Sequence, residues 1–176
     1  SVEKGNPVNK VEFLDADGLD EFLFKRKVRE KGILQRFISP KGPFNCTFND
    51  FKRFSLILKS TVAIQAIWSP HVTLLERRVN VHRINDRRNN PFERAVTYEG
   101  PSHFSNEVFC APNLEKEIKK VCNSIVAHFA SVEHKQITRM VLYFKVDNKG
   151  SLWLLWASSI RVSINNVSVY KLDTNF

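Results

Sequence analysis

Apolar and polar residues alternate along residues 137–146, ITRMVLYFKV. Thr138, Met140, Leu142, Phe144 and Val146 fall on one side, and Ile137, Arg139, Val141, Tyr143 and Lys145 on the other. A period of two sustained over such a run predicts a half-buried strand. Asp147, Asn148, Lys149 and Gly150 follow with turn chemistry, and Gly150 suits the positive φ that closes a short hairpin loop. If Asp147 faces Ser151, the register pairs Val146 with Leu152, Phe144 with Leu154 and Leu142 with Trp156 on an apolar face. The other face then pairs Lys145 with Trp153, Tyr143 with Leu155 and Arg139 with Ser159. Residues 152–157 are apolar on both sides, so the second strand is expected inside the sheet, covered on both faces, with Trp153 packed under a helix. The competing reading puts Trp153 on a cation-and-aromatic contact face with Arg139, Tyr143, Lys145 and Arg161.

The clearest helix is predicted over residues 113–132. Leu114, Ile118, Val121, Cys122, Ile125, Val126 and Phe129 recur at the helical period, Asn113 is placed to cap it after Pro112, and Glu115 and Glu117 suit its positive end. Lys116, Lys119, Lys120 and Asn123 form the expected solvated face. A second, short helix is expected near the N-terminus, capped by Asp17 and running through Leu19, Phe22 and Leu23. Strands are expected over residues 33–39, closed by the Pro40 to Pro43 turn, and where Phe54, Leu56 and Leu58 and then Val62, Ile64, Ala66 and Trp68 alternate. A further strand over residues 72–84 turns Leu75, Val79 and Val81 inward and Glu76, Arg78, Asn80 and His82 outward. Residues 85–91 read as a polar loop and residues 92–98 as another strand. The fold class is therefore α+β: a mostly antiparallel sheet of about five to eight strands with one long helix packed on one face.

A length of 176 residues with 43% hydrophobic and 26% charged residues suits one well-cored domain, and no linker or repeat divides the chain. The first residue is Ser, which reads as a processed chain or as a domain taken from a longer protein. No run approaches the roughly eighteen apolar residues of a membrane helix. Three cysteines in no paired spacing point to free thiols in a reducing, intracellular compartment.

The formal net charge of +9 is concentrated in two segments. The first carries Lys25, Arg26, Lys27, Arg29, Lys31 and Arg36 against Glu30. The second carries Arg77, Arg78, Arg83, Arg87, Arg88 and Arg94 against Glu76, Asp86 and Glu93. Clustered positive charge steers association with an acidic partner, whereas spread charge mainly confers solubility.

No sequence feature supplies catalytic machinery: there is no glycine-rich phosphate loop, serine elbow or paired-cysteine knuckle. Asp15 to Asp20 begins like a calcium loop, but Arg26 stands where the closing glutamate belongs. Cys122, His128 and His134 diverge around a helix, so no metal or cofactor site is assigned. The leading expectation is a non-catalytic interaction or scaffold domain that docks on an acidic protein surface, such as a cytoskeletal component. Its contact residues are Lys25, Arg26, Lys27, Arg29, Arg77, Arg78, Arg83, Arg87, Arg88, Arg139, Tyr143, Lys145, Trp153 and Arg161. A nucleic-acid-binding domain is the alternative, since the same cations can hold phosphates and the aromatics can stack on bases; residues 25–29 also have the form of a nuclear import signal. An enzyme acting on a phosphorylated substrate, with Glu76, Glu93 and Glu99 among the arginines, ranks last.

Overall fold

The computed structural model describes residues 11–26, 33–38, 60–84 and 86–163. Its elements in chain order are α1 (Ala16–Phe24), β1 (Val62–Trp68), β2 (Thr73–Asn80), α2 (Pro91–Ala95), a 3-10 turn (Ser102–Phe104), β3 (Ser105–Val108), α3 (Pro112–Glu133), β4 (Gln136–Val146) and β5 (Leu152–Ser163). The five strands form one antiparallel sheet in the order β3-β2-β1-β4-β5, and with the long α3 they make an α+β fold. The chain gathers into two compact units. One includes Arg77–Val108 and Lys145–Trp153 together with the chain up to Ile64; the other includes Gln65–Glu76, Phe109–Phe144 and the chain from Leu154.

In the second unit, β1 contributes the buried Ala66 and Trp68, and α3 contributes Ile118, Cys122 and Val126. The Trp68 indole N–H donates to Asn123 Oδ1 at 2.9 Å, so Asn123 serves the interior instead of the solvated face. A buried indole needs one acceptor, and this short amide supplies it. Helix α3 starts at Pro112, whose missing N–H costs nothing in the first turn. It ends at His134 in the left-handed conformation, φ 53°. The Cys122 thiol is fully buried, and that burial pushes its pKa up to about 11. It should therefore resist a thiol-reactive dye up to mildly alkaline pH and label only when the protein is unfolded; stoichiometric labelling of the native chain at Cys122 would contradict this placement.

Strand β4 is the one buried on both faces: Met140, Val141, Leu142, Tyr143 and Phe144 are all buried. This reverses the expectation for the hairpin. Strand β5 lies at the edge of the sheet among the described residues and buries none of its own; Trp153 is 50% exposed and Leu154 48%. An apolar run marks a strand but not its rank in the sheet, and the neighbour order made β4 the interior one. The turn itself forms as expected, with Asp147 N–H donating to Ser151 O at 3.0 Å and Gly150 at φ 93°. Beyond it the strict register fails. Tyr143 stacks on Trp156 with ring centroids 4.7 Å apart, so these two share a face that simple alternation would have denied them. The Tyr143 hydroxyl also accepts from Gln65 Nε2 at 2.7 Å.

Four other expectations change. Helix α1 is capped by Asp15, which accepts from Gly18 N at 2.8 Å, and not by Asp17. Residues 33–38 hold no regular strand. Strand β2 ends at Asn80, and residues 92–98 begin as helix α2 because Asn90 and Glu93 form a reciprocal capping box around Pro91. The predicted turn at Pro40 to Pro43 and the alternation at Phe54, Leu56 and Leu58 lie outside the described residues.

Candidate interaction surface

The segment from Arg77 to Val108, all within the first unit, is organised by one polar side chain. Asn80 is 2% exposed. Its Nδ2 donates to Glu93 O at 2.8 Å and Val96 O at 2.6 Å, and its Oδ1 accepts from His82 N at 2.7 Å. It therefore points inward, against the alternation that placed it outside. The reason is that α2 ends over the strand with carbonyls needing a donor, and a carboxamide provides two donors and an acceptor at one position. The strand's backbone continues the anchoring: Asn80 N–H donates to Thr61 O and Val81 N–H to Phe104 O.

On this frame sits an aromatic cluster. Phe104 meets His103 at 4.4 Å, His82 at 6.2 Å and Phe92 at 6.3 Å between ring centroids, the last edge-to-face. His82, Phe92 and Phe104 are half-buried and His103 is exposed. No local pattern announces this cluster, because its members come from three separate stretches: His82 after β2, Phe92 in α2, and His103 with Phe104 in the 3-10 turn. The Asn90-to-Glu93 spacing of the capping box was the available clue to where Phe92 would lie.

The arginines of the same segment divide into those used internally and those presented. Arg78 donates from Nε to Ser105 Oγ at 2.8 Å and from its terminal nitrogen to Ser105 O and Ser102 O, and it lies 5.9 Å from the Tyr98 ring centroid. It ties the 3-10 turn to β2. Arg77 sits within β2, paired in register with Val108. Arg88 clasps Asp86 through two side-chain bonds of 2.9 and 2.8 Å, while its own N–H donates to Asp86 Oδ1. Arg83 and Arg87 are exposed and hold no ion pair among the described residues.

The Asp86 carboxyl is held down at about 2 from the usual 3.8, chiefly by the Arg88 side-chain hydrogen bonds. A depressed folded-state pKa means that the clasp is complete above the ordinary carboxylate range and is lost as pH falls through the folded value. Asp86 should thus remain ionised at pH 3, followed by its carboxyl carbon shift in an NMR titration. Arg88→Gln should return the midpoint towards 3.8, and an unmoved midpoint would rule out the assigned cause.

The remaining contact candidates are dispersed. Lys25 ends α1 and is exposed; Arg26 is spent on Glu12 through bonds of 2.6 and 3.1 Å. Lys27 and Arg29 lie outside the described residues. Lys145 is half-buried, its ammonium 5.5 Å from the Phe37 ring centroid. Burial pulls its pKa down, partly opposed by the Glu99 charge. Trp153 donates its indole N–H to Asp147 Oδ2 at 2.9 Å. That bond, with the Ser151, Lys149 and Gly150 amides, holds the Asp147 carboxyl below its ordinary range against a smaller opposing effect of burial. In the second unit, Tyr143 is buried, whereas Arg139 and Arg161 are exposed.

A groove of about 750 Å³ runs along α3, lined by Val121, Ile125, Phe129 and Val132 with Lys120 and Glu133 on its borders. Glu117, Ser124 and His128 complete the lining, which holds no arginine. No helix among the described residues is long and apolar enough to cross a membrane. Comparison with protein-family models, with curated proteins and with solved structures finds no match to this chain.

Proposed function

We propose that this chain is a non-catalytic interaction domain whose segment from His82 to Phe104 docks on an acidic protein surface. The observation that carries this reading is the division of the arginines. Arg78 commits its donors to Ser102 and Ser105 and Arg88 pairs with Asp86, while Arg83 and Arg87 are exposed beside the Asp86 clasp and the Asn90–Glu93 capping box, in the same segment as a half-buried aromatic cluster. A held loop loses little conformational freedom on binding, and arginine with aromatic neighbours is the composition of contact hot spots. The buried thiol of Cys122 agrees with an intracellular setting.

The test pairs wild type with Arg83→Glu/Arg87→Glu against two fluorescent probes, a glutamate-rich peptide and single-stranded DNA, over a salt series. Wild type should bind the peptide with affinity that falls as salt rises, and the double variant should bind at least about tenfold more weakly with an unchanged melting temperature. Equal peptide binding by both proteins would refute the surface. Tight binding to DNA alone, steeply salt-dependent, would move the assignment to nucleic acid.

A further inference from the structure

The far end of the β4–β5 hairpin, within the second unit, has a different character from the loop that carries Arg83 and Arg87. Strand β5 runs for 12 residues, longer than most strands, and stands last in the strand order among the described residues. Sheet edges are normally guarded by proline, lysine or inward-pointing charge. Residues 154–160 of β5, LLWASSI, contain none of these, and Leu154 and Ile160 are 48% and 50% exposed. Such an edge is a template for one more strand.

Charge selects the occupant. Over residues 136–144 and 154–163 the two strands carry Arg139 and Arg161 and not one carboxylate. The two arginines lie at the same end of the hairpin: Thr138 Oγ1 donates to Arg161 O at 3.3 Å, which fixes the start of β4 beside the end of β5. Both are exposed and hold no ion pair among the described residues, and the exposed Lys135 precedes β4. An incoming strand from a second copy would bring another arginine-bearing edge without acid to meet these cations. A strand that carries acidic side chains supplies the missing charge, while its backbone satisfies the open ladder.

We propose that the outer edge of β5 receives an extended acidic segment of another protein as an added sixth strand, with Arg139 and Arg161 engaging its carboxylates. This proposal does not depend on the Arg83 and Arg87 loop.

The probe is an acetylated peptide of about eight residues built from alternating Glu-Glu and Val-Val pairs, which puts carboxylates on both faces of an added strand and is long enough for one ordinary strand. A second peptide of the same sequence, N-methylated at alternate amides, keeps the charge but cannot pair along an edge. The chain should bind the first at least tenfold more tightly than the second, with added amide protection within residues 154–162 by hydrogen exchange. Arg139→Glu/Arg161→Glu should weaken binding by a similar factor, while Arg83→Glu/Arg87→Glu should leave β5 protection unchanged. Equal binding of the two peptides, no protection in β5, or no binding at all overturns the proposal. Concentration-dependent protection of β5 in the chain alone would assign the edge to self-pairing and likewise overturn it.

Discussion

Asn80→Ala is expected to cost about 3 kcal/mol of folding stability, a large loss for one polar side chain. The substitution strips the donor from two carbonyls, Glu93 O and Val96 O, and the acceptor from His82 N–H, at a position only 2% exposed. Each buried group left without a partner forfeits about 1–3 kcal/mol, and water entering from the His82 side recovers part of that. Asn80→Asp sharpens the test. It preserves shape but sets a carboxylate against two carbonyl oxygens, so the variant should be less stable at neutral pH than in mild acid, where the protonated carboxyl regains one donor. Urea unfolding of the three proteins decides the matter. A loss for Asn80→Ala below about 1 kcal/mol would mean that α2 is held over β2 by its apolar contacts alone.

Phe144→Ala should cost about 4 kcal/mol, the larger of the two effects. Phe144 is fully buried on the strand covered on both faces, and removing an aromatic ring from such a site combines lost transfer energy with a cavity that flanking Leu142 and Met140 cannot fill without shifting. Phe144→Leu should recover most of the loss. Ile160→Ala on the exposed edge should change stability by less than about 1 kcal/mol, since that side chain is half in water already. Comparable losses at Phe144 and Ile160 in denaturant titrations would contradict the neighbour order that makes β4 interior and β5 the edge.

Much of this architecture was legible wherever one local period ran unopposed. The helical spacing from Leu114 to Phe129 gave α3 to within a residue or so, and Asp147 to Gly150 announced their turn through side chains that serve little else. What escaped was information that no local window holds. The run from Leu152 to Ala157 has the composition of an interior strand, yet its place at the edge is set by β1 pairing with β4 on the other side. Residues 92–98 carry Val, Thr and Tyr, which favour strands, and were outweighed by one capping box and a proline at the start of a helix. Asn80 looked outward because polarity at an alternating position usually means solvent, whereas here it means carbonyls. For the site, the charge of residues 76–94 was visible, but which arginines stay available was not. Arg78 and Arg88 differ from Arg83 and Arg87 only in their partners in space.

The strand order also bears on how this chain folds. Strands β1 and β2 are joined by the tight Ser69–Val72 turn, and β4 and β5 by the Asp147 turn, so each pair closes over a few residues. The pairing of β1 with β4 must instead bring residues 62–68 to residues 136–146 across everything in between. Closing that loop is paid in chain entropy before any contact rewards it. Refolding should be governed by that single seam, with the two hairpins forming early and waiting on it. Until the seam closes, β1 and β4 both present unpaired ladders rich in apolar side chains, and aggregation during refolding should trace to that interval.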